Sequence, residues 1–202
     1  MQSAELEGSD AIESFWRSLR FFSIYRLSIA LLFLVAAVVL GDSVSLGTQD
    51  PQLFGRAAAV YLLLAAAFLV ALLRRPQRFN LQLSVQVAVD IAALTLMMFA
   101  SGGQKSGIAV LLLVVVAGAD LVGQGRMTLF YAALASVAML LEESWRALTR
   151  EADPADFVRT GIICIAFFGT AIIARLLARR VVANETLARQ RGRELNDQLR
   201  IS

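Results

Sequence analysis

The chain has 202 residues, of which 58% are apolar and 17% charged, with a formal net charge of +3; soluble domains carry roughly 25% charged residues. So few polar side chains cannot coat a soluble fold of this size, and the apolar residues gather in long runs, which points to an all-α, polytopic membrane bundle. There is no histidine and one cysteine, Cys164, which excludes Ser-His-Asp and Cys-His catalysis, a phosphoacceptor histidine, an intrachain disulfide and a multi-cysteine metal site.

Crossing ~30 Å of hydrocarbon takes about 17–25 helical residues. Six runs reach or approach that length, at 22–40, 57–73, 81–100, 107–122, 127–141 and 158–177. The fourth and fifth are short and are joined by Gly123, Gln124, Gly125 and Arg126 alone, a spacing that reads as a helical hairpin, with a re-entrant or tilted pair as the alternative. Pro51, Pro76 and Pro154 all fall between runs and interrupt none. The chain therefore divides into an N-terminal segment (1–21), a six-span membrane domain (22–177) and a tail (178–202).

Lys and Arg flanking a span resist translocation and collect on the cytoplasmic side. Of the 19 basic residues, only Arg56, Lys105, Arg146, Arg150 and Arg159 lie on one side of the six-span parse. Both termini are thus expected in the cytoplasm. The connections are too short to fold as ligand-binding domains, so whatever is sensed or moved is handled within the membrane.

Charges set within apolar runs are costly, about 2.5–3.5 kcal/mol each on insertion scales, and need partners. Arg26 is early in the first run, Asp90 midway along the third and Asp120 near the end of the fourth; Arg26 is expected to pair with Asp90 or Asp120. On the third run Gln82, Gln86 and Asp90 recur every four residues and share one helix face, which must look inward. That face serves either as interhelical glue or as a proton or ion path. The sixth run carries Ala166, Thr170, Ala174 and Ala178 at the same spacing, a small-residue strip suited to helix packing.

Trp16, Phe21, Tyr25, Tyr61, Trp145 and Phe157 read as interfacial anchors. The stretch Ser101-Gly102-Gly103-Gln104-Lys105-Ser106-Gly107 lacks the strand and the residue order of a phosphate loop and is expected to be a tight turn. Past Leu177, the apolar stripe of Val181, Ala188, Leu195 and Leu199 continues at helical spacing among arginines, so the last span is expected to run on as a cytoplasmic rod able to form a two-chain coil. Ile201-Ser202 is neither cap nor stop, and the polypeptide is expected to continue.

Tyr25-Arg26 opening the first span, Ser101-Gly102-Gly103 with Ser106-Gly107 before the fourth, Gly125-Arg126 opening the fifth and Leu141-Glu142-Glu143 closing it stand in an order that resembles the membrane sensor region of PilS-type histidine kinases. The resemblance covers about residues 16–180. It implies a dimeric inner-membrane sensor that responds to the type IV pilin transmembrane helix and acts on pilin expression through a response regulator. It also implies that ATP and Mg²⁺ serve kinase domains lying beyond such a tail. This chain itself carries no catalytic domain, no cofactor and no metal site in that reading. A small transporter or channel subunit using the buried carboxylates and a passive membrane scaffold are the alternatives; no nucleic-acid partner is expected.

Overall fold

The computed structural model describes residues 22–40, 46–74, 79–122, 127–149 and 154–201. The N-terminal segment 1–21 lies outside them. Six helices follow in order: α1 (22–35), whose last turns widen to a π-helix at Ala36–Leu40, α2 (Pro51–Arg74), α3 (Phe79–Ala100), α4 (Ile108–Val122), α5 (Thr128–Thr149) and α6 (Pro154–Ile201). The face at which α1 and α3 begin is called proximal below, and the opposite one distal.

The third helix is the axle of the bundle. Half of its apolar span is buried, against 17–33% for the other long spans, and it touches α2, α4 and α5. Leu83, Val87, Ile91, Leu94 and Met98 fill the interior with Leu112 and Val116 of α4. Outward, Leu32, Leu63, Val110, Leu141, Ile165 and Ile173 stand exposed. Such a surface is unfavourable in water and matches hydrocarbon.

Spans 22–39, Pro51–Leu72, Leu81–Ala100 and Pro154–Arg180 are each long and apolar enough to cross a membrane. At 15 residues, α4 reaches only about 22 Å. The fifth run, expected at 127–141, is the N-terminal part of a 22-residue helix that ends at Thr149, because Glu142, Glu143 and Arg146 continue its register while lowering its apolar content. Helix α2 likewise starts at Pro51 and not at 57: the Asp50 carboxylate accepts the Leu53 backbone N–H at 2.8 Å, an N-cap, and Pro51 occupies the first helical position, where its missing N–H costs nothing. Hydropathy alone does not see either polar helix end.

Helix α6 is continuous for 48 residues, about 72 Å at 1.5 Å per residue. It packs on the bundle against α4 and α5, and the same helix extends through the tail to Ile201. Within the chain its packing face centres on Phe167, Ala171 and Ala174. Of the expected strip, Ala174 is buried, Thr170 and Ala178 are half-buried, and Ala166 is exposed at the edge of the contact.

The turn between α3 and α4 ties the distal face together. Ser101 Oγ accepts the Gly47 N–H at 2.9 Å, and its own hydroxyl donates to the Met97 carbonyl at 2.7 Å. Thr48 Oγ1 donates to the Ser101 carbonyl, while the Gln49 and Asp50 N–H groups both reach the Ala100 carbonyl at 3.1 Å. These bonds satisfy the carbonyl end of α3 that would otherwise face lipid unpaired. Gln104 bonds to Thr160 of α6. A stretch expected to be a simple turn is therefore the junction of α2, α3, α4 and α6.

Candidate functional site

Arg26 lies about one turn inside the proximal end of α1 and is 1% exposed, while Asp90 of α3 is 0% exposed. Their partnership resolves the choice between two acids. Arg26 Nε donates to Asp90 Oδ1 at 2.8 Å and Nη2 to the same oxygen at 2.5 Å; Nη2 also reaches the Gln86 carbonyl at 3.3 Å. The guanidinium stands 5.8 Å from the Phe22 ring centroid and 5.6 Å from that of Phe68 of α2, so ring faces supply further electron density to the cation. The side chain of Asp120 lies outside the described residues.

This pair ties three helices at one level, because Tyr61 of α2, 1% exposed, interacts with both charged partners. Tyr61 is not the interfacial anchor expected of it. The apparent nearness to a helix start came from placing that start at 57; counted from Pro51 it sits ten residues in, at mid-depth. Around the pair, several polar atoms remain without hydrogen-bond partners: Ser23 Oγ, both amide atoms of Gln86 and Asp90 Oδ2. Gln86 is fully buried, and Gln82, a turn nearer the proximal face, is half-buried. The expected Gln82-Gln86-Asp90 face does turn inward. An orphaned buried amide costs about 1–3 kcal/mol, so this is a cluster built below its hydrogen-bonding capacity.

A second polar cluster, which sequence reading passed over, closes the distal end of α5. Glu142 and Glu143 are 6% and 1% exposed. Arg146 stands 3.9 Å from a carboxylate oxygen of each, and its guanidinium fills the space a side chain on Gly103 would need. Gly103 has φ +83°, so the turn can present a bare backbone to the arginine. The signal was present as Leu141-Glu142-Glu143, but the pattern there marked a family likeness and not a burial.

Among the described residues no group of three or more His, Cys, Asp or Glu could hold a metal ion. Cys164 is a half-buried thiol whose S–H points at the Ser136 carbonyl at 3.9 Å.

An all-helical bundle with apolar outer faces, a buried ion pair at its axle and a helix that leaves it as a long rod defines a polytopic membrane domain. The sequence profile of the PilS-like transmembrane domain matches residues 9–188, and the chain belongs to that family. It is 35% identical over 177 residues to the "Sensor protein kinase PilS" of Pseudomonas aeruginosa, a match that takes in 87% of this chain and 33% of that kinase. The chain thus spans about one third of the length of this relative, as a membrane module akin to its own. No solved structure matches it.

Proposed function

We propose that the chain is the sensing module of a two-component histidine kinase of the bacterial inner membrane, with both termini in the cytoplasm, and that its signal is the transmembrane helix of a type IV pilin. The observation that carries the reading is the under-satisfied cluster of Arg26, Asp90, Gln86 and Ser23 at the meeting of α1, α2 and α3, in a chain of the PilS-like family. A sensor needs two arrangements separated by a small free energy, and a ligand that prefers one of them. Gln86 and Asp90 are closed to the membrane, so they serve as the bistable element and not as the surface a partner first meets. A partner that shifts α3 would rearrange their hydrogen bonds. Through α5 the shift reaches α6, whose continuous helix carries it out of the bundle to the output domains of a whole kinase.

In that protein, ATP and Mg²⁺ would act in a kinase domain outside this segment, the response regulator would take the phosphoryl group, and the rods of two copies would pair. Ion carriage through Asp90 is the less suitable reading, since its Oδ1 already holds a guanidinium and loading it would first require breaking that pair.

The test is energy transfer between labelled pilin and labelled sensor in liposomes. Pilin binding should saturate in the wild type. Gln86→Leu removes two orphaned polar atoms and should favour a single arrangement, leaving binding within about threefold while reducing the conformational response of α6. Absence of energy transfer at any pilin density would reject pilin as the signal.

A further inference from the structure

A groove of about 410 Å³ runs between α3 and α5 in the distal half of the bundle. One wall is Ala92, Thr95, Leu96 and Phe99 of α3; the other is Ala138, Leu141, Glu142 and Trp145 of α5. Both sets follow the spacing i, i+3, i+4, i+7, and the two helices run in the same direction. The walls are therefore matched ridges two turns long, about 10 Å, parallel to the helix axes. Ala92 and Ala138 keep part of each ridge low, so another helix backbone could come close.

Thr95 Oγ1 and both carboxylate oxygens of Glu142 have no hydrogen-bond partner, although Glu142 is 94% buried. Glu142 and Glu143 also outnumber the single guanidinium between them, so the distal end of the groove has acceptors in excess of donors. An acyl chain would fill the volume and leave every one of these acceptors empty, at a cost that an unpaired polar atom in hydrocarbon makes large. A helix fits the ridges and can bring the missing donor, which Glu142, only 6% exposed, meets by turning its carboxylate into the groove.

We infer that the groove between α3 and α5 is the docking surface for the partner's transmembrane helix, with Glu142 accepting a hydrogen bond from a donor side chain at the distal end of that helix. This deepens the reading of the module as a pilin sensor and rests on it. It also supplies the missing mechanical link. The α3 wall of the groove begins two residues beyond Asp90, so a helix wedged against Ala92 and Leu96 presses on the element that holds the buried ion pair.

The test places a photocrosslinking side chain in the full-length kinase at Leu96 or Leu141, both exposed in the groove, or at Ile173 on the exposed face of α6, in membranes containing tagged type IV pilin. Pilin adducts are expected from Leu96 and Leu141 and not from Ile173. Their yield should fall about tenfold in Glu142→Leu and be retained in Glu142→Gln, which keeps an acceptor, consistent with an intramembrane hydrogen bond. Pilin adducts from Ile173 alone would overturn the groove and leave pilin sensing standing. Sensor-to-sensor adducts from Leu96 would overturn it by assigning the groove to a second copy. Unchanged yield in Glu142→Leu would remove Glu142 from the contact. If no position gives a pilin adduct and energy transfer is also absent, the sensing reading and the groove fall together.

Discussion

Asp90→Ala should be the most damaging single substitution in the domain, lowering stability by about 3–5 kcal/mol, the range for leaving one member of a buried ion pair uncompensated. The reason is specific to this site. Arg26 donates twice to Asp90 Oδ1, and at 1% exposure it has no route to water. Without the carboxylate, α1 must either leave its seat on α3 or keep a bare cation in the interior. Arg26→Ala should cause a comparable loss, because it strands the carboxylate. Asp90→Asn keeps an acceptor for Nε and should lose less. The exchange Arg26→Asp with Asp90→Arg should recover part of the loss, and denaturant titration in detergent micelles measures all four. If Asp90→Ala melts like the wild type, the pair is not what fastens α1.

Gly103→Val should follow in severity, with a loss of roughly 3 kcal/mol. Two separable effects contribute. A β-branched residue at φ +83° is forced into the left-handed region, which costs about 1–2 kcal/mol. Its Cβ would also displace the Arg146 guanidinium, and two buried carboxylates would lose their cation, adding about 1–3 kcal/mol. Arg146→Ala with Gly103→Ala tests the division: the double variant relieves the collision and retains the backbone strain, so the two losses should be clearly less than additive. Full additivity would mean that the arginine and the turn act independently.

How much of this was legible from the sequence depends on what each residue's neighbours are. Bundle and number of helices follow from hydropathy and from prolines that respect the gaps. The inward face of α3 follows from the four-residue spacing of Gln82, Gln86 and Asp90, and the need to pair Arg26 follows from the cost of a lone charge in lipid. Choosing Asp90 over Asp120 required three-dimensional packing. Tyr61 was misplaced because a polar first turn, capped by Asp50, concealed six residues of α2. The Glu142-Glu143-Arg146 cluster carries no such sign, since acidic residues after an apolar run usually mark the end of a span; the seat of Arg146 between them depends on Gly103, 39 positions before Glu142 in the chain. Long-range contacts of that kind leave no local periodicity to detect.

The central claim is that a helix entering the membrane domain changes the output of the kinase through the buried cluster on α3. The most direct measurement is the autophosphorylation rate of the full-length kinase reconstituted in liposomes, at zero and at saturating pilin, for the wild type and for Gln86→Leu. Coupling of about 1–3 kcal/mol predicts a pilin-dependent rate change of roughly five- to 150-fold in the wild type, and little or none in Gln86→Leu at equal occupancy. Equal responses in the two proteins, or no response in the wild type, would contradict it.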